Sequence, residues 1–583
     1  MSIFDVFTLL GGLAFFLYGM NLMGDALERK AGTKLKSILE NLTSNTFKGF
    51  MLGLVVTGII QSSSATTVMV VGFVNSGIMT LHQAVGVIMG ANLGTSVTSW
   101  LLSLTGIEGE SFWVQILKPS SFTPLLAFIG IIFIMFVKNS KQKDTALILI
   151  GFSILMFGME TMSAAVEPLA QSEEFSKILL LFSNPVLGLI VGTVFTAIVQ
   201  SSSASVGILQ ALTLTGTVTY STAVPIVMGQ NIGTCVSAMI SSVGATKNAK
   251  RAAVIHLSFN LISAVVWLTV YYTLESIFQF SFVEKAATPL GIAIVHTVFK
   301  LLALGLLMPF TKQLEKLSYK IIKEDTSEKD KKELLDERLL STPAVAIERS
   351  RNVTCDMAQI SVDILKDSLA NLFDFSEERA KKIRNGENAA DKYEDALGTY
   401  LVKVSGKTLT DDDSREVSKL LHIIGDFERI SDHAVNILES AEEIKEKKME
   451  FSEQAKSEIT TMMSAVSEIL SLALGAFVEN DLEKAYKVEP LEQVVDNLQS
   501  FIKKQHVTRL RKKECTIEMG FVLSDLLTNL ERVSDHCSNI AVCIIEIAHE
   551  SFDMHSYLQN LKDLHNKEYE NNLKAYSEKY AVN

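Results

Sequence analysis

Apolar residues fill the first 310 positions in long stretches, at about 5–27, 80–103, 122–138, 146–166, 221–243, 252–275 and 286–310. Each is long enough to cross the ~30 Å hydrocarbon core of a bilayer as a helix, so the pattern predicts seven crossings. Two further stretches, roughly 48–76 and 185–216, consist of about twelve apolar residues, a polar tip and about twelve more. The tips are Gln61-Ser62-Ser63-Ser64-Ala65-Thr66 and Gln200-Ser201-Ser202-Ser203-Ala204-Ser205. Neither arm spans the core, and an unpaired polar group in hydrocarbon is costly. The pattern therefore fits a re-entrant helical hairpin with its tip near the midplane.

After Pro343 the pattern changes. Residues 345–550 show long helical periodicity with few Gly and one further Pro, Pro490, which predicts an all-α bundle. Between the two lies a charged, uneven stretch, 311–344, read as a linker or amphipathic segment, and residues 551–583 form a tail without a readable motif.

The membrane half is duplicated. Gln61 to Gln200 is an offset of 139, and so are Asn92 to Asn231, Gly19-Met20 to Gly158-Met159, Ser44-Asn45 to Ser183-Asn184, Gly53 to Gly192 and Gly94-Thr95 to Gly233-Thr234. Repeat 1 covers about 5–140 and repeat 2 about 144–278, followed by an extra helix at 286–310. Three crossings per unit is an odd number, so the second copy enters from the opposite side. Such inverted repeats mark secondary transporters. One run of small polar residues could serve close helix packing alone. Two runs, each followed at the same spacing by an Asn in a Gly-rich helix break (Gly90 to Thr95, Gly229 to Thr234), point to a shared site.

Charge sharpens the division. Residues 1–320 hold 18 Lys+Arg against 14 Asp+Glu, whereas the remainder holds 35 against 51. Basic residues gather in the expected loops 28–48 (Arg29, Lys30, Lys34, Lys36, Lys48), 138–145 (Lys138, Lys141, Lys143) and 243–252 (Lys247, Lys250, Arg251). The opposite side gets Lys118, Lys177 and Lys285. The positive-inside rule then places the N-terminus outside and the acidic half in the cytoplasm. The N-terminus lacks the basic region and cleavage site of a signal peptide, so residues 7–23 read as a retained membrane helix. Five cysteines (Cys235, Cys355, Cys515, Cys537, Cys543) make no CxxC pair and read as reduced thiols. No nucleophile–base set, Walker loop or metalloprotease motif is present, so no enzymatic activity is expected, nor a nucleic-acid partner.

Helix ends at the hairpin tips would offer N–H groups and positive partial charge to an anion, and Ser and Thr hydroxyls add donors. Carbonyls, Gln, Asn and hydroxyl oxygens suit a hard cation such as Na⁺. Neither hairpin core holds Lys or Arg, so a bound anion needs co-bound cations for charge compensation. Glu160, and the pairs His256/Asn260 and His296/Lys300, read as structural or marginal.

The paired Gln-Ser-Ser-Ser runs, with Gly-Ala-Asn-Leu-Gly-Thr and Gly-Gln-Asn-Ile-Gly-Thr after them, resemble the type II sodium–phosphate cotransporter family over about residues 5–310. The resemblance implies a polytopic all-α membrane protein of the cytoplasmic membrane that couples inorganic phosphate to Na⁺. Carried over by position, its site is Gln61, Ser62, Ser63, Ser64, Thr66, Gln200, Ser201, Ser202, Ser203 and Ser205. Asn92, Thr95, Asn231 and Thr234 are second candidates.

The soluble half repeats too. Glu428-Arg429-Ile430-Ser431-Asp432-His433 recurs as Glu531-Arg532-Val533-Ser534-Asp535-His536, an offset of 103, and Asp391/Asp395 has a counterpart in Glu492/Asp496. Acidic residues at i and i+4 share a helix face and could hold a divalent metal; a solvated acidic stripe is the equal alternative. The pattern resembles PhoU domains, tandem three-helix bundles tied to phosphate regulation. That implies two acidic patches, Asp391/Asp395/Glu428/Asp432 and Glu492/Asp496/Glu531/Asp535. Uptake or export, a homodimer, and phosphate-signalling partners stay open.

Overall fold

The computed structural model describes residues 3–40, 46–107, 111–137, 139–168, 181–323, 335–548 and 567–582. Among these the protein is helical throughout, without a strand; one isolated bridge joins Thr219 and Ala286. The chain divides into two compact units, Met1–Val345 and Ala346–Asn583.

In the first unit, seven helical stretches are long and apolar enough to cross a membrane: Ile3–Lys30, Leu81–Gly106, Pro119–Phe136, Gln142–Val166, Tyr220–Ser241, Lys247–Phe278 and Pro289–Ile321. They leave large apolar side chains outward, among them Phe4, Phe128, Phe157 and Ile277. Such a belt is stable only against lipid. An eighth helix of suitable length and composition, Glu453–Glu479, belongs to the second unit. Its apolar residues (Ile459, Met462, Val466, Ile469, Leu470, Phe477) form a buried stripe, with Thr460, Ser464 and Ser471 exposed opposite. That amphipathic pattern is a bundle helix, not a span.

Each predicted hairpin stretch is two short helices with a two-residue break: Thr46–Ile60 and Ser63–Asn75 in repeat 1, Pro185–Val199 and Ser202–Thr213 in repeat 2. At 1.5 Å per residue the longer arms reach roughly 22 Å, less than the bilayer core.

Two expectations need correction. The first helix runs on to Glu40, so Arg29 and Lys30 are helical and not in a loop; Arg29 pairs with Asp144 at 2.8 Å and Lys30 donates to Thr145 at 2.8 Å. The side chains of Lys34 and Lys36, and all of Lys138 and Lys177, lie outside the described residues, as does 549–566. The Gly-Ala-Asn-Leu-Gly-Thr segment lies inside the unbroken helix Leu81–Ser103; in repeat 2 the helix is interrupted only at Thr234. The glycines serve approach, not breakage. A Cβ on Gly90 would sit 1.9 Å from the Phe50 carbonyl oxygen, and one on its counterpart Gly229 would sit 2.1 Å from that of Leu189. Across the same contacts, Gly53 and Gly192 would collide with Val87 and Ile226. Each repeat thus presses its first short helix backbone to backbone against the crossing helix that follows. The stretch 311–344, expected as a linker or amphipathic segment, is structured over 311–323 and 335–344. Thr311–Ile321 is a helix, and Leu335–Ser341 docks into the first unit.

The second unit is two three-helix sets, Pro343–Asn371, Glu377–Ser405, Asp411–Glu446 and Glu453–Glu479, Leu482–Arg511, Ile517–Ala548, with a tail helix Lys567–Lys579.

We expect Gly90→Ala to lower the melting temperature in detergent by several degrees, in line with the ~1–3 kcal/mol typical of overpacking. Gly305→Ala, where a Cβ meets nothing within 4 Å, should be neutral or stabilising. Equal melting points for the two would contradict the packing argument.

Candidate functional site

The two breaks are built alike. Gln61 and Gln200 both adopt the left-handed conformation, with φ of 59° and 54°. Each closes the helix before it, donating its N–H to Thr57 and Thr196 respectively at 2.8 Å. The next residues, Ser62 and Ser201, are extended N-caps whose hydroxyls accept from the N–H groups of Ala65 (3.1 Å) and Ala204 (3.2 Å). Ser62 and Ser201 carbonyls accept from Thr66 and Ser205. The first N–H groups of each new helix, at Ser63 and Ser64 and at Ser202 and Ser203, therefore have no partner within their helix.

Behind the tips the same chemistry recurs. Thr57 bonds Thr66 at 3.0 Å, and Thr196 bonds Ser205 at 2.8 Å, so Thr66 and Ser205 tie each break to its own arm. Gln61 accepts from Thr98 at 2.9 Å and donates to the Gly58 carbonyl.

The two copies meet. Ser63 and Ser202 hydroxyls lie 3.5 Å apart, and Ser64 donates to the Gln200 carbonyl at 3.3 Å. Together they wall a cavity of about 450 Å³ that takes in Gln61, Ser62, Ser63, Ser64, Gln200, Ser201, Ser202 and Ser203. The lining also includes Asn21, Asp25 and Glu28 from the first helix, and Ser341, and has no Lys or Arg. The sequence reading missed these four. Asn21, Asp25 and Glu28 follow an i, i+4, i+7 rhythm that marks one polar helix face, a signal available in advance. Glu160, the repeat-2 counterpart of Asn21, is exposed and not part of the lining.

Ser341 reaches the cavity because the segment before it is pinned. Asp336 is buried, accepts from Asn75 at 2.7 Å and pairs with Arg338 at 3.0 Å. Arg338 donates in turn to the carbonyls of Ser241 and Val243, and Leu339 packs where a Cβ on Gly72 would fall. One short segment thus holds the helix behind the first tip to the end of a repeat-2 helix.

Four candidates stand elsewhere. Thr95, Asn231 and Thr234 bond back to their own helices, through the carbonyls of Ala91, Val227 and Gln230. Asn92 donates to Asn260 at 2.7 Å, and its carbonyl accepts from Lys300 at 2.6 Å. None of the four lines the cavity.

In the second unit the duplicated motif divides its labour. His433 and His536 stack at 5.6 Å; His536 bonds Asp426 at 2.9 Å and His433 bonds Asn529 at 2.8 Å. Asp426 and Asn529 are 103 residues apart, like the histidines, so this half of the motif joins the two bundles. The acidic half crowds carboxylates. Glu492, Asp496 and Asp535 offer oxygens within 4.8 Å of one another. Desolvation, then Asp535, pushes the Glu531 carboxyl up, and desolvation with Asp496 nearby raises Asp535. Among the described residues Asp391, Asp395, Glu428 and Asp432 do not close to that separation. Desolvation and the neighbouring Asp432 nonetheless push Glu428 up to about 7. Glu387 and Glu394, not foreseen, join this patch, raised by desolvation and by Asp432, Asp391 and Asp395.

These features define a multi-pass helical membrane protein with a duplicated, helix-end site and a second helical unit. Family comparison carries the definition further. The Na+/Pi-cotransporter model matches residues 15–164 and 154–308, and the PhoU domain model matches 354–441 and 459–544. The chain belongs to the Na+/Pi-cotransporter family of phosphate transport proteins and carries C-terminal PhoU domains. It is 24% identical over 545 residues to YjbB of Salmonella typhimurium, provisionally named an inorganic phosphate export protein, covering 92% of this chain and 97% of that one. It is 35% identical over 105 residues to human sodium-dependent phosphate transport protein 2B, 18% of this chain and 15% of that one. PhoU from Pseudomonas aeruginosa superposes with a TM-score of 0.34 at 22% identity, over 35% of this chain and 97% of that one.

Two outcomes follow from the geometry. Gln61→Gly should leave thermal stability within about 1 kcal/mol, because glycine takes the left-handed position freely, whereas Gln61→Val should cost roughly 1–3 kcal/mol by detergent melting. The raised Glu428 carboxyl binds its proton more tightly when folded. Its stabilising contribution is therefore full below its ordinary 4.5 and fades as pH climbs through about 7. Glu428→Gln should make the second unit more heat-resistant at pH 8 and abolish that part of the pH dependence; an unchanged pH profile would contradict the crowding.

Proposed function

We propose that the protein carries inorganic phosphate across the cytoplasmic membrane together with Na⁺, and that the two Gln-Ser-Ser-Ser breaks form one shared binding site. The observation that supports this best is the cavity itself: both tips, unbonded helix-start N–H groups, two carboxylates and no basic side chain in the lining. Phosphate would sit at the N-termini beginning at Ser63 and Ser202, where N–H groups and the Ser62, Ser64, Ser201 and Ser203 hydroxyls can donate. With no Lys or Arg to neutralise it, the anion enters only with cations. Asn21, Asp25, Glu28, Gln61 and Gln200 supply the oxygens a hard cation prefers. Thr66, Ser205, Asn92, Thr95, Asn231 and Thr234 would act as the frame that holds the breaks in register.

On this reading the short helices are re-entrant, the N-terminus faces outward and the PhoU-like unit is cytoplasmic. The two repeats expose the site alternately to either side. The PhoU-like unit regulates, acting through the pinned segment Asp336–Ser341 that precedes it. Glu492, Asp496 and Asp535, joined by Glu531, would hold a divalent metal, which relieves the mutual repulsion of the carboxylates.

Direction rests on a different observation. The relative that shares almost the whole chain bears an export name, whereas likeness to the sodium-dependent protein 2B spans 105 residues. Whole-length likeness thus favours release of phosphate from the cell as the physiological direction, with the PhoU-like unit sensing excess.

Labelled phosphate flux in proteoliposomes tests the proposal. Flux should depend on Na⁺ and fall about tenfold or more in Ser63→Ala or Ser202→Ala, the loss expected for a hydrogen bond to a charged group. Unchanged flux with choline in place of Na⁺ would overturn the coupling, and phosphate binding without flux in either direction would make the protein a sensor.

A further inference from the structure

The two helices that end the first unit's core carry one short signature, His256-x-x-Phe259-Asn260 and His296-x-x-Phe299-Lys300, 40 residues apart. All six side chains are buried. Where the first helix has an amide, the second has an ammonium. Both reach the same residue. Asn260 accepts from the Asn92 side chain at 2.7 Å, and Lys300 donates to the Asn92 carbonyl at 2.6 Å. Asn260 also donates to the His256 carbonyl at 3.0 Å and to Cys235 at 3.3 Å, and Cys235 opens the helix after the Thr234 interruption. A polar line therefore runs from the Asn-bearing segment of repeat 1 to the corresponding interruption in repeat 2.

Lys300 is 3% exposed, and no carboxylate pairs with it among the described residues. Its polar surroundings are the Asn92 carbonyl oxygen, His256 and His296. His256 Nδ1 and His296 Nε2 have no hydrogen-bond partner. An ammonium with one neutral carbonyl for a partner inside an apolar unit is expensive, and a structural need for a donor to that carbonyl would be met at lower cost by an amide, as at Asn260. What the ammonium adds is a positive charge held on the Asn92 carbonyl, beside the Asn92–Asn260 contact between the two repeats.

We propose that Lys300 is a tethered cation: its ammonium stands, on a covalent arm, where a carrier of this architecture would otherwise admit one of its coupling cations. One positive charge then stays with the protein in every cycle, and one fewer soluble cation moves with each phosphate. This rests on the cation-coupled reading above, but it concerns ion number, not substrate.

The test compares the parent, Lys300→Asn and Lys300→Arg in proteoliposomes. It reads the Na⁺ dependence of labelled phosphate flux and the charge moved per phosphate from the reversal potential. Lys300→Asn should gain a site: its Hill coefficient for Na⁺ rises by about one, and one more positive charge moves with each phosphate. Lys300→Arg should keep the parental values. A Lys300→Asn protein with parental Hill coefficient and charge ratio overturns the inference, as does an Arg variant that behaves like Asn. If the parent needs no Na⁺ while Lys300→Asn does, the sodium-coupled reading fails and the tethered cation stands; if neither needs it, both fail. Should Lys300→Asn extract poorly, recovery of monodisperse protein in Na⁺ but not in choline supports the inference, and equal loss in both overturns it.

Discussion

A helix interrupted inside an apolar unit leaves backbone N–H and C=O groups without water to bond, and most of the first unit follows from how that cost is met. At each break a left-handed glutamine closes one helix and a serine N-cap opens the next. The Thr57–Thr66 and Thr196–Ser205 pairs tie the arms together behind them. What this scheme leaves unsatisfied is a pair of N–H groups at each new helix start, and both pairs border one cavity. The proposed binding chemistry is thus the remainder of a structural solution, in which the polar residues that cap the chain would also receive the anion.

Both units use duplication in the same way, setting related residues of two copies against each other. Ser63 meets Ser202 in the first unit, and His433 meets His536 in the second. The pseudo-symmetric contact lets identical chemistry approach from two sides, which a single copy cannot do. In the first unit it converges on a ligand-sized space. In the second it turns the His and Asn of each motif to joining bundles and leaves the carboxylates to crowd one another. Glycines permit the first arrangement. Gly53, Gly90, Gly192 and Gly229 bring helix backbones into contact, which fixes where the breaks lie.

Much of this was legible in the sequence, because an internal repeat and small polar runs in apolar surroundings have few physical explanations. The 139-residue offset located both tips to the residue, and the 103-residue offset located both bundles. The rest was lost for identifiable reasons. Gly-Ala-Asn-Leu-Gly-Thr read as a helix break because glycine breaks isolated helices; here each glycine admits a neighbouring backbone, which spacing alone cannot distinguish. Asp25 and Glu28 belong to a helix whose tail carries Arg29 and Lys30, and in a linear reading they vanished into a charged end. Ser341 and Asp336 lie in a stretch whose composition is that of a linker, and only tertiary packing buries Asp336 and brings Ser341 to the cavity. The acidic patch around Glu428 includes Glu387 and Glu394 because one helix supplies four carboxylates on adjacent turns; the sequence reading took only the pair Asp391/Asp395, although Glu387 stands four residues before Asp391.

The central claim is that two copies of one motif make a single phosphate site. A double-mutant cycle measures it most directly: phosphate affinity of the parent, Ser63→Ala, Ser202→Ala and the double variant, by titration calorimetry on purified protein at fixed Na⁺. A shared site predicts non-additivity of about 0.5–3 kcal/mol between the two substitutions. Effects that add to within a few tenths of a kcal/mol, or an affinity insensitive to either change, would contradict it.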